Sequence, residues 1–151
     1  MKKIASFTVN HDTLEKGMYI SRIDGDVVTY DIRMKKPNGG DYLHMSAAHT
    51  LEHLFATYAR NSQYGDKIVY VGPMGCRTGF YLLTRDLSPE RVLAALKAAL
   101  ADTVAYEGAV PGASRVECGN YRELSLDSAK RECAAYLAVL ENHKGDFSYA
   151  E

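Results

Sequence analysis

A chain of 151 residues, 46% hydrophobic and 25% charged, has the composition of an ordinary globular protein and suffices to bury the core of a single domain spanning residues 1–151. Its net charge of −1 argues against nucleic acid or an anionic membrane as a main partner. No apolar run reaches transmembrane length, the N-terminus lacks a signal-peptide core, and three widely spaced cysteines do not suggest a disulfide framework, so the expected location is cytoplasmic.

Residues 18–24 and 27–34 are rich in Ile, Val and Tyr and flank Asp24-Gly25-Asp26, which predicts a β-hairpin. Residues 35–41, with Pro37, Gly39 and Gly40, read as a loop leading into a helix over 46–61 that contains no Pro or Gly. Strands are expected at 67–71 and 79–84, joined by a turn over 72–78. A second helix opens with Ser88 as its N-cap and Pro89 as its first residue, and runs to about Val104 with Val92, Leu93, Leu96 and Leu100 on one stripe. Residues 106–124 are poorly periodic and hold Pro111, Gly112 and Gly119. A last helix is expected over 126–142, ending near Gly145. Strands joined by hairpin-length connections with helices interspersed predict an α+β fold with a mainly antiparallel sheet.

The most informative run is His49-Thr50-Leu51-Glu52-His53. Positions four apart share a helix face, so both imidazoles can point at one ion, while Glu52 lies close enough to touch what that ion activates. The order is that of the inverted zinc motif, in which the carboxylate is a general base. A catalytic metal needs a third protein ligand and one open position. By chemistry the candidates are Cys76, Cys118, Cys133, His11, His44 and His143. Cys133 falls inside the last helix beside Ala134 and Tyr136 and reads as a small buried hydrophobe. Cys118 precedes Gly119 in an irregular loop that can approach a helix closely. Cys76 sits in a turn beside Arg77, whose charge should favour the thiolate, and reads as an acid/base or nucleophile. His44 and His143 are expected on the surface.

Three blocks in order, 49–53, 72–81 (Gly-Pro-Met-Gly-Cys-Arg-Thr-Gly-Phe-Tyr) and 117–121 (Glu-Cys-Gly-Asn-Tyr), resemble the signatures of S-ribosylhomocysteine lyase, the LuxS family. Ser6-Phe7 with His11, and Tyr30-Asp31-Ile32-Arg33, resemble two further family segments. The likeness implies a two-layer α+β sandwich whose core is related to that of the inverted-motif metallopeptidases, and a homodimer with its sites at the subunit interface. It implies one divalent metal per subunit, Fe(II) natively with Zn(II) or Co(II) as substitutes, on His49, His53 and Cys118. Cys76 and Glu52 become the acid/base pair, and Ser6, His11, Arg33 and Arg60 become substrate contacts.

The implied substrate, S-ribosylhomocysteine, joins a ribose to homocysteine through a thioether. Its carbon–sulfur bond breaks once a carbonyl has migrated along the sugar, the metal acting as a Lewis acid and Cys76 and Glu52 as proton carriers. The products are homocysteine, which returns to methionine metabolism, and dihydroxypentanedione, the precursor of a furanone quorum-sensing signal. Two other readings fit the metal motif: a small inverted-motif metallopeptidase and a structural zinc module. The chain departs from the family pattern at Tyr70, where many members carry an Asp that helps hold the amino-acid end of the substrate.

Overall fold

The structure is a computed structural model and describes residues 1–150. The expected hairpin is present as β1 (Gly17–Asp24) and β2 (Val27–Arg33). Its two-residue loop turns on Gly25 at φ 62, a backbone conformation that side chains with a Cβ rarely adopt. Met34, expected in β2, falls outside it because its N–H donates to the Thr78 carbonyl (2.9 Å) and binds the strand end to the next turn.

The other strands are β3 (Ile68–Pro73) and β4 (Gly79–Arg85), and the sheet order is β1-β2-β4-β3 with every neighbouring pair antiparallel. β3 runs two residues past the expected end because Gly72 and Pro73 still pair with Tyr81 and Phe80. Register shifts between Ile20 and Arg22, and between Ile68 and Tyr70, place an extra residue in each edge strand. Side chains alternate between faces, so Met18, Tyr30, Ile32, Phe80 and Leu82 share one face of the sheet. Asp31, Arg33, Tyr81 and Leu83 share the other, joined beyond the shift by Tyr70, which is 53% exposed.

Three helices cover the first face: α1 (Met45–Asn61), α2 (Pro89–Ala105) and α3 (Leu126–Glu141). Their apolar stripes (Leu51 and Phe55; Val92, Leu96 and Leu100; Ala129, Cys133, Tyr136 and Leu140) merge with the strand residues into one buried cluster. Ser88 caps α2 as expected, its side chain accepting from the Arg91 N–H at 3.4 Å, with Pro89 following. The α1 start differs from the sequence reading: His44 is the N-cap, and its Nδ1 accepts from the Ser46 N–H at 3.4 Å. α3 stops at Glu141, and Gly145 (φ 82) lies in the turn beyond it. His143, expected on the surface, is half-buried with its ring against Phe147 (4.6 Å between centroids).

The resulting α+β architecture is the expected layer of helices on an antiparallel sheet. Among the described residues, no helix is long and apolar enough to cross a membrane.

Candidate metal centre and thiol cleft

α1 presents His49 and His53 on one face, and each ring is fixed by a backbone carbonyl from the irregular stretch after α2. His49 donates its Nδ1–H to the Glu123 carbonyl (2.9 Å), and His53 donates its Nδ1–H to the Pro111 carbonyl (2.7 Å). Both rings therefore leave Nε2 as a bare lone pair. The two Nε2 atoms face each other at 3.1 Å, with Cys118 Sγ at 3.4 Å from that of His49. With both rings neutral, neither Nε2 has a proton to share, and the close approach suits an electrophile between them.

These donor atoms all lie within 4.8 Å of one another. A tetrahedral ion with bonds of about 2.0 Å to nitrogen and 2.3 Å to sulfur would separate its ligands by about 3.3 to 3.6 Å. The donor set thus fits one divalent ion and leaves the fourth position to another ligand. Cys118 is half-buried, and its sulfur accepts from the Asn120 N–H at 3.4 Å. The loop is carried to α1 by Thr50, whose hydroxyl accepts from the Ser125 N–H (2.8 Å) at the start of α3. Gly112, at φ 72, lets the chain pass the imidazole: a Cβ there would stand 3.0 Å from His53 Nδ1. Glu52 is half-buried on the same helix and forms no hydrogen bond or ion pair among the described residues.

Cys76 lies elsewhere, in a turn closed by Arg77 N–H to Met74 carbonyl (3.0 Å) and Met74 N–H to Gly79 carbonyl (2.8 Å). The turn is bound to the preceding loop, since the Arg77 carbonyl accepts from Leu43 and the Thr78 carbonyl from Met34 and Lys35. Lys35, 8% exposed, spans Asp41 (3.1 Å) and Glu132 (2.8 Å), tying that loop to α3. Cys76 opens into a cleft of about 620 Å³ that Ser6, His11 and Arg33 also line. His11 donates Nδ1–H to the Val9 carbonyl (2.9 Å), which leaves its Nε2 as an acceptor.

A second arginine, besides the expected Arg77, bears on the surroundings of Cys76. The Arg77 backbone has φ 62 and its guanidinium lies over the Tyr42 ring (5.8 Å). It is Arg33, 3% exposed, that reaches the thiol's surroundings: Nη1 donates to Thr78 Oγ1 at 2.7 Å, and that oxygen lies 3.0 Å from Cys76 Sγ. Burial works against the Arg33 charge, yet its pKa is raised because the Asp31 hydrogen bonds and charge, with Cys76 and Tyr149 adding, outweigh desolvation. Cys133 is fully buried, and desolvation pushes its thiol up to about 12, as an inert core position requires.

Of the expected site residues, one chain brings His49, His53 and Cys118 to one point and Ser6, His11, Arg33 and Cys76 to another. Neither His49, Glu52, His53 nor Cys118 lines the thiol cleft. Arg60 joins neither group; it is exposed at the end of α1 and donates to the Val69 carbonyl (3.3 Å). Sequence reasoning missed Thr78, Asp31 and the carbonyls of Pro111 and Glu123. A backbone carbonyl leaves no trace in residue identity, and only the alternation of β2 hinted that Asp31 and Arg33 share a face.

A family model described as S-Ribosylhomocysteinase (LuxS) matches residues 4–146. Among curated relatives, the S-ribosylhomocysteine lyase of Phocaeicola vulgatus is 48% identical over 156 residues, covering 99% of this chain and 97% of the relative. That of Clostridium acetobutylicum is 45% identical, covering 97% and 96%. That of Desulfotalea psychrophila is 44% identical, covering 94% of each.

Proposed function

The chain belongs to the S-ribosylhomocysteinase (LuxS) family, and from that premise we propose that it cleaves the thioether of S-ribosyl-L-homocysteine to L-homocysteine and 4,5-dihydroxy-2,3-pentanedione. The observation that carries the reading is the pair of facing Nε2 lone pairs with a thiol sulfur beside them, on the helix that also bears Glu52. Held by His49, His53 and Cys118, a divalent ion would supply Lewis acidity to a sugar carbonyl oxygen. Iron(II) is the proposed resident metal, with zinc or cobalt able to replace it.

The chain's own groups then move protons. Cys76 Sγ carries a proton between neighbouring sugar carbons on one face of the substrate, and the Glu52 carboxylate serves the remaining transfers. Two internal shifts move the carbonyl from C1 to C3. Loss of the C4 proton then expels the C5 sulfur as homocysteine, so the reaction balances without water or an external oxidant. Ser6, His11 and Arg33 line the cleft that would receive the sugar, and Arg60 is assigned to the substrate from the family likeness alone.

The separation of the metal donors from the thiol cleft supports a homodimer. Each site would join His49, Glu52, His53 and Cys118 of one subunit to the Cys76 cleft of the other. The part of the sheet face around exposed Tyr70, lined also by Ile4, Tyr81 and Leu83, supplies an apolar surface for that contact. The whole chain, residues 1–151, acts in this reading as one catalytic domain in the cytoplasm, with a core related to that of the inverted-motif metallopeptidases. The relatives' names favour neither peptide hydrolysis nor a purely structural zinc site.

The deciding experiment follows thiol release from S-ribosylhomocysteine by anaerobically purified protein loaded with iron(II) or cobalt(II). Turnover by the wild type and none by Cys76→Ala is the expected result. A correctly loaded dimer that releases no thiol would refute the assignment.

A further inference from the structure

The cleft thiol is connected to the C-terminal segment by an unbroken path of hydrogen bonds behind the sheet. Tyr149 donates its hydroxyl to Asp31 Oδ2 (2.7 Å). Asp31 in turn accepts two bonds from Arg33, Nε to Oδ1 (3.0 Å) and Nη2 to Oδ2 (2.7 Å). The remaining terminal nitrogen of Arg33 donates to Thr78 Oγ1 (2.7 Å), and that oxygen meets Cys76 Sγ at 3.0 Å. Asp31, Arg33 and Thr78 are 1%, 3% and 2% exposed, so water does not screen the path.

We propose that Tyr149 and Asp31 are positioning residues for the Cys76 thiol, acting through Arg33 and Thr78. The inference rests on the reading of Cys76 as the proton carrier. Three observations carry it. First, the forked pairing with Asp31 engages one edge of the guanidinium, Nε and Nη2, and fixes the plane in which the other terminal nitrogen, Nη1, donates to Thr78.

Second, Thr78 accepts from a cation, and a hydroxyl that accepts from a cation is a stronger donor of its own proton. That proton is free to point at Cys76 Sγ, and a hydrogen bond given to sulfur stabilises the charged form more than the neutral one. Third, Tyr149 bonds to the same carboxylate oxygen that Arg33 Nη2 uses. It takes up part of the Asp31 charge, and Arg33 is left less neutralised where it faces the turn. Burial and the Asp31 charge hold the Tyr149 phenol well above its ordinary range, so it remains a donor at any working pH. Tyr19 and Tyr81 are the neighbouring titratable groups on this sheet face, with His11 and Arg77 at the cleft; both tyrosines are raised and neutral.

Replacing Asp31 would leave Arg33 buried without a counter-charge, which risks the fold. Tyr149→Phe is the cleaner variant, because the ring stays stacked on Tyr19 (4.9 Å between centroids) and only the hydroxyl is lost. The readout is alkylation of Cys76 by iodoacetamide across a pH series, followed by mass spectrometry on the peptide that carries Cys76. This separates it from Cys118 and Cys133.

We expect Tyr149→Phe to slow alkylation at neutral pH by about twofold to thirtyfold and to move the midpoint to higher pH. Thr78→Val, which cuts the path at the other end, must shift the profile in the same direction. A folded Tyr149→Phe protein with an unchanged profile would mean that the tyrosine only pins the terminal segment, and the proposal would be wrong. An unchanged profile in Thr78→Val would overturn it equally. Because alkylation needs no substrate, a shifted profile in a protein that releases no thiol from S-ribosylhomocysteine would sustain the path while removing the lyase reading.

Discussion

The imidazoles of His49 and His53 and the thiol of Cys76 are each held by partners within the chain, but by different kinds of partner. On the α1 side the rings are set by neutral groups, the carbonyls of Pro111 and Glu123, which fix the tautomer and aim Nε2 outward. On the sheet side the thiol meets Thr78, whose hydroxyl is held by a buried, charged Arg33–Asp31 pair. Under the proposed roles, the difference follows from what each group must be. A metal-binding imidazole has to be neutral, and a cation beside it would drive the metal away. A thiol that exchanges protons has to reach the thiolate, for which a buried cation is the available device.

Substitutions can break this contrast. The largest effect belongs to Cys118→Ala, which removes one of three donors: metal content, read by elemental analysis, should fall toward zero and turnover with it. Cys76→Ala should instead keep the metal while turnover falls by about a hundredfold or more. If it stripped the metal, the roles assigned to the two thiols would be reversed. Glu52→Gln should likewise retain the metal and lower kcat by about 10² to 10⁴. A variant keeping more than about a hundredth of the rate would remove Glu52 from proton transfer.

A smaller change tests the neutral side by itself. Gly112→Ala puts a Cβ 3.0 Å from His53 Nδ1 at a backbone with φ 72. Metal affinity, measured by competition with a chelator, should weaken by about tenfold to a hundredfold as the ring is displaced. Unaltered affinity would show that the loop yields instead. The smallest effect is expected at Cys133→Ala. Its thiol is pushed up to about 12 by burial, so metal content and turnover should stay at wild-type levels, with a stability loss of about 1 kcal/mol by denaturant titration. A loss of activity there would mean that a core thiol takes part in the chemistry.

Much of the site was legible because it depends on local periodicity. His49, Glu52 and His53 lie within one helical turn of each other, and helix geometry alone places the two rings together. Ser88 and Pro89 marked the start of α2 for the same local reason. The α1 boundary was missed because His44 caps the helix in place of the more usual hydroxyl or carboxylate. The Arg33–Thr78–Cys76 contact was missed because it joins residues 45 apart in sequence, whereas Arg77, adjacent in the turn, has a positive φ and lies over Tyr42.

The sequence by itself determined the α+β class, the ring pair on α1 and, through the order of three motif blocks, the family. Only the tertiary structure decided that Arg33 reaches Cys76 through Thr78, that Pro111 and Glu123 hold the imidazoles, and that Cys118 closes on His49 across 69 residues. The reason is physical. Secondary structure and its faces follow from interactions between near neighbours, whereas a hydrogen bond between distant segments depends on how every intervening element packs. The separate positions of the metal donors and the thiol cleft belong to that second kind of information, and with them the case for a second subunit.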